Sequence, residues 1–123
     1  MDNDFIMNKI NDSIKEVFTG YKGLYLYESR AKHTEQPDSD YDIVILLENR
    51  ATLEDKYLIV GAMSELEAEL DVFTDPRFLT EEDLRKDSFF YREVINYGKF
   101  YPIQWFKSNK KIYIEIKKRI RRG

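Results

Sequence analysis

The chain has 123 residues, about one domain of ordinary size, and its 42% hydrophobic and 15% aromatic content supplies a core and excludes wholesale disorder. Having no Cys and a single His, His33, it lacks the means for disulfides, zinc–thiolate sites, thiol nucleophiles or a multi-histidine metal site within one chain. The formal charge of −3 conceals a split: residues 1–106 carry 12 Lys/Arg and 22 Asp/Glu for −10, and residues 107–123 carry 8 and 1 for +7.

Phe5, Ile6, Ile10, Ile14, Val17 and Phe18 recur at helical spacing, with Lys9, Asn11, Asp12, Lys15 and Glu16 between them. They predict an amphipathic helix over residues 4–18 that stops at Gly20. Leu24–Tyr27 reads as a short strand after a break at Gly23, because aromatic and branched side chains suit a pleated surface. Residues 29–39 are polar, contain Pro37, and predict a short helical turn and a loop. Asp42 leads into Ile43–Leu47, a continuous apolar run typical of a central strand buried on both faces. Thr52 and Asp55 form a helix-opening capping pair, and the apolar stripe behind them predicts a helix over 52–69. Asp71–Thr74, bounded by Asp75-Pro76, predicts a third strand. Thr80–Asp83 opens a further helix that continues through Phe89, Phe90, Val94 and Tyr97 to Gly98, and Phe100 and Tyr101 form a last extended piece before Pro102. In the tail, Ile112, Ile114 and Ile116 alternate like a strand, whereas Ile112, Ile116 and Ile120 are spaced like a helix; helix is the reading taken. The fold class is α/β (α+β), a small mixed sheet flanked by helices, with one domain over 1–106 and a basic extension over 107–123. The longest apolar run falls far short of the roughly 18 residues a membrane span needs, and Asp2 and Asp4 stand where a signal peptide requires basic residues. A cytoplasmic location follows as the expectation.

Asp38-Ser-Asp40-Tyr-Asp42 is the stretch richest in chemistry. Asp40 and Asp42, two residues apart on an extended chain, share one face. At 4 Å two unit charges repel by roughly 4 kcal/mol at an effective dielectric near 20, a cost that a hard cation such as Mg²⁺ converts into binding. Asp71, an acid at the start of a predicted strand, adds a third carboxylate if that strand lies beside Asp42–Leu47. The set suits two-metal phosphoryl transfer. Equally, these acids read as turn residues, a solvated strand start and a helix–strand break.

The residues upstream add to this. Leu24–Tyr27, Glu28-Ser29-Arg30-Ala31, Asp40-Tyr-Asp42 and Leu70-Asp-Val-Phe together resemble the minimal nucleotidyltransferase family of the DNA-polymerase-beta-like superfamily, over nearly the whole chain to about residue 101. The family pattern is a strand ending in Gly-Ser, a short helix, D-x-D opening the next strand, and a third Asp on a later strand. The resemblance implies a nucleotidyltransferase moving a nucleoside monophosphate, AMP above all, from an NTP such as ATP to a hydroxyl acceptor with Mg²⁺, in a two-metal site. It makes Asp40, Asp42 and Asp71 the metal-binding and catalytic carboxylates. Ser29 and Arg30 become nucleotide-phosphate contacts, the first aided by a helix N-terminus and the second by bidentate pairing. It further implies an antitoxin role with a small all-helical HEPN partner, whose hydroxyl is the acceptor. One departure stands out: Glu28 occupies the place of the motif glycine, bringing bulk and negative charge toward a polyanion site. The alternative is therefore a weak or inactive nucleotidyltransferase-fold antitoxin or interaction module.

The basic tail, Lys107–Arg122, lies outside the resemblance. Its interleaved isoleucines favour protein contact, with a partner or a second copy in a homo-oligomer. Nucleic acid is the disfavoured partner, because an acidic body repels it.

Overall fold

The computed structural model describes residues 2–27 and 40–103. Along the chain run α1 (Asn3–Val17), β1 (Tyr21–Tyr27), β2 (Tyr41–Leu47), α2 (Leu53–Leu70), β3 (Thr74–Leu79), α3 (Glu81–Lys86), α4 (Ser88–Tyr97) and β4 (Gly98–Pro102). The strands form one mixed sheet in the order β3-β2-β1-β4, with β2 and β3 parallel and β1 antiparallel to both β2 and β4.

Strand alternation divides the core into two layers. Ile43, Ile45 and Leu47 of β2 join Leu24 and the buried faces of α1 and α2 on one side. Val44 and Leu46 join Tyr27, Leu84, Phe90 and Val94 on the other, under α3 and α4. Both faces of β2 are thus covered, which explains its unbroken apolar run. Gly23 lies inside β1 rather than before it: φ is 142° there, and a Cβ would come within 2.5 Å of the Tyr101 carbonyl on β4. Only glycine tolerates that pairing, beside the register shift between Tyr21 and Gly23.

Thr52 and Asp55 make the expected reciprocal cap, Asp55 N–H donating to Thr52 Oγ1 at 3.1 Å and Thr52 N–H to Asp55 Oδ2 at 3.0 Å. The third strand differs from expectation. α2 runs to Leu70 and ends with Asp71 in the left-handed conformation, φ 54°, so the strand begins at Thr74 and runs through Asp75-Pro76. Proline is accommodated because β3 is an edge strand. The predicted helix after Thr80 is also two: the Asp87 side chain accepts from Phe90 N–H at 3.1 Å and caps α4 separately. The tail and the helical turn and loop expected over 29–39 lie outside the described residues, as does the proposed boundary at residue 106.

Candidate active site

The C-terminal end of β1 and the N-terminal ends of β2 and β3 share one edge of the sheet. There Tyr27 pairs with Asp42, and Asp42 pairs with Asp75. Adjacent strands lie about 4.8 Å apart, and residues in register point to the same face. That face is the α3/α4 side, since Val44 and Leu46, in phase with Asp42, and Leu79, in phase with Asp75, pack there. Asp42 is 7% exposed, whereas Asp75 on the edge strand is exposed. Asp40, one step of alternation upstream, is exposed.

Of the carboxylates expected to converge, Asp40 lies exposed just before β2 and Asp42 is buried within it. Asp71 is exposed at the end of α2, before β3 begins. The carboxylate in register with Asp42 is Asp75, which with Pro76 bounds the strand expected from the sequence. Continuing the strand to the Thr80 cap would have placed Asp75 on it. Ser29 and Arg30, with Glu28, Asp38 and His33, lie outside the described residues.

Strand register brings the like-charged Asp42 and Asp75 to one end of the sheet, where they repel each other. A cation between them removes that penalty. Among the described residues no group of three or more His, Cys, Asp or Glu is assembled to hold a metal ion. Carboxylate oxygens are nonetheless the donors a hard cation takes, with its other ligands coming from phosphates and water.

The family model for polymerase beta nucleotidyltransferases matches residues 8–100. The chain belongs to that family. Among curated proteins none matches this chain by sequence. Solved structures share its fold. One, a toxin–antitoxin with AMP-PNP, is 19% identical with a TM-score of 0.51, covering 94% of this chain and 87% of that one. Another, a tri-AMPylated Shewanella oneidensis HEPN toxin in complex with MNT antitoxin, is 15% identical at TM-score 0.50, covering 97% and 87%. A third, the toxin–antitoxin MntA–HepT, is 16% identical at 0.51, covering 98% and 88%.

At the opposite end of the nucleotidyltransferase sheet lies a cleft of about 810 Å³, lined among others by Lys22, Arg50, Thr80, Glu81 and Asp83. Its charges neutralise one another: Arg50 donates to both Asp83 oxygens at 2.9 and 3.1 Å, and Lys22 meets Glu81 at 3.0 Å. The Arg50 hydrogen bond holds the Asp83 carboxyl below its ordinary pKa. Ion pairs that satisfy one another in this way offer no reactive group. The carboxylate edge is the better site.

No helix among the described residues is long and apolar enough to cross a membrane.

Proposed function

We propose that this domain is an antitoxin-type nucleotidyltransferase that transfers a nucleoside monophosphate, AMP from ATP, to a hydroxyl on a HEPN-type toxin. The observation that carries the reading is the pairing of Asp42 with Asp75 on adjacent strand starts, within a family match over residues 8–100. Similarity to the solved HEPN–MNT complex supports the partner, and the AMP-PNP complex supports the nucleotide.

Asp40 and Asp42 would hold Mg²⁺, which supplies charge neutralisation at the triphosphate and lowers the pKa of a bound hydroxyl. In this assignment Asp75 takes the third-carboxylate role implied for Asp71, because it is in register with Asp42, and accepts the acceptor's proton. The acceptor oxygen forms a bond to the α-phosphorus, the bond to the bridging oxygen breaks, and pyrophosphate leaves. Ser29 and Arg30 take the terminal phosphates.

The test is transfer of label from α-labelled ATP to a co-purified HEPN-type partner, with pyrophosphate release. Asp42→Asn and Asp75→Asn should each lower the rate at least 100-fold, and Asp71→Asn by less than threefold. Loss with Asp71→Asn and retention with Asp75→Asn would reverse the assignment. Glu28 defines the competing reading, an inactive module: no transfer by the wild type, with transfer restored by Glu28→Gly, would establish it.

A further inference from the structure

The geometry points to Arg77 as a phosphate-binding residue of the nucleotide site, an assignment that rests on the nucleotidyl-transfer reading and extends it to β3. Arg77 lies two residues beyond Asp75 on the same strand and in register with Val44, so it shares the face that carries Asp42 and Asp75. Its guanidinium carbon lies over the Phe90 ring, 4.3 Å from the centroid, in a cation–π contact. The same ring meets Tyr27 of β1 edge-on, with centroids 5.3 Å apart.

Those two contacts locate the cation. β1 and β3 flank β2, so a ring touching residues of both lies across β2, next to the row that contains Asp42. Arg77, itself exposed, therefore leans from the edge strand toward Phe90 across the face that carries Asp42 and Asp75, rather than away from the sheet. The guanidinium carries five N–H donors in a planar fork, and a contact with a ring face leaves donors available to an anion. That contact also fixes the side chain in advance, which reduces the entropy lost when the anion binds.

Its charge is not spent elsewhere. Among the described residues Arg77 forms no ion pair, whereas Arg50 is bound to Asp83, Lys22 to Glu81, Lys86 to Glu82 and Lys99 to Asp4. A carboxylate edge that receives a triphosphate needs cations on the protein as well as metal, and a planar fork beside it is suited to phosphate oxygens.

The test is calorimetric titration of the full chain with MgATP, and separately with magnesium tripolyphosphate, for wild type, Arg77→Gln, Arg77→Lys, Phe90→Leu and Asp42→Asn. By losing a charge-assisted hydrogen bond, Arg77→Gln should weaken both ligands about tenfold or more. Arg77→Lys should recover part of the loss, and Phe90→Leu should weaken binding about threefold through lost preorganisation. Thermal midpoints identify any variant that fails to fold, and Arg77→Lys then carries the measurement: wild-type affinity in it alone overturns recognition by the guanidinium fork. If Arg77→Gln binds both ligands as the wild type does while Asp42→Asn loses them, the Arg77 assignment falls and the nucleotide reading stands. If MgATP weakens but tripolyphosphate does not, Arg77 acts on the nucleoside and the phosphate assignment falls. A wild type that binds neither ligand overturns both readings together.

Discussion

Asn11 is fully buried in the otherwise apolar inner face of α1. Its Nδ2 donates to the carbonyls of Tyr101 and Pro102, each at 3.0 Å, and its Oδ1 accepts from the Tyr21 hydroxyl. One amide thereby ties α1 to β1 and to the last described strand. Burial raises the Tyr21 pKa, so that hydroxyl remains a donor at any ordinary pH. Asn11→Leu keeps the volume but leaves two carbonyls and a hydroxyl without this partner. At about 1–3 kcal/mol for a buried group left unsatisfied, the loss should be about 3 kcal/mol, read as a lowered urea midpoint at unchanged slope. A loss below 1 kcal/mol would show that other groups replace the amide. Sequence spacing alone places Asn11 among the polar residues between the apolar positions. Its carbonyl partners are 90 and 91 residues away, so no local pattern announces the role. Asp75 and Arg77 are hidden for a related reason: their meaning depends on which strand β3 pairs with and in what register.

At the level of elements, what was legible is what local chemistry decides. α2 is announced by Thr52 and Asp55, whose reciprocal hydrogen bonds form within four residues of chain. β2 is announced by a run that only a doubly covered strand would need. Thr52→Ala removes the acceptor for Asp55 N–H and should cost about 1 kcal/mol, measured by chemical denaturation. Thr52→Ser should restore most of it, because the hydroxyl is what the cap uses. What was not legible are the junctions. Asp71 ends α2 by a backbone conformation that asparagine or glycine adopts more readily, and nothing in Leu70-Asp71-Val72 signals it. Asp75-Pro76 reads as a breaker until the edge position of β3 is known. Asp87 divides a seemingly continuous helix because its carboxylate caps Phe90 N–H. All three junctions bear on the site, since they decide where β3 starts, whether Asp75 lies on it, and how Phe90 is presented to Arg77.

For the whole molecule, pH should act from both sides through groups that tie elements together. The Asp4 carboxyl is held below its ordinary pKa of 3.8, first by the Tyr101 hydroxyl and then by Lys99, whose ammonium lies 2.9 Å away. Asp83 is lowered in the same direction by Arg50. A carboxyl with a depressed folded pKa contributes its full stability above the unfolded value and loses it as pH falls through the folded one. The acid limb from these two groups therefore opens below about pH 4. Tyr101, buried and donating to Asp4, is raised, as is buried Tyr21. Their contribution is complete below about pH 10 and is lost as pH rises further. The Asp4–Tyr101 contact, between α1 and β4, needs an ionised acid and a protonated phenol, so it survives only between these limits. Protonating the acids also unmasks the +7 of residues 107–123, adding repulsion at low pH. Urea midpoints measured from about pH 7 down to about pH 2.5 should fall for the wild type. The double variant Asp4→Asn/Asp83→Asn should start lower at neutral pH and decline less steeply, because the linked protons are gone. An equally steep decline in the double variant would place the acid limb on other carboxylates, with the exposed acids of the carboxylate edge, Asp40 and Asp75, next to be substituted.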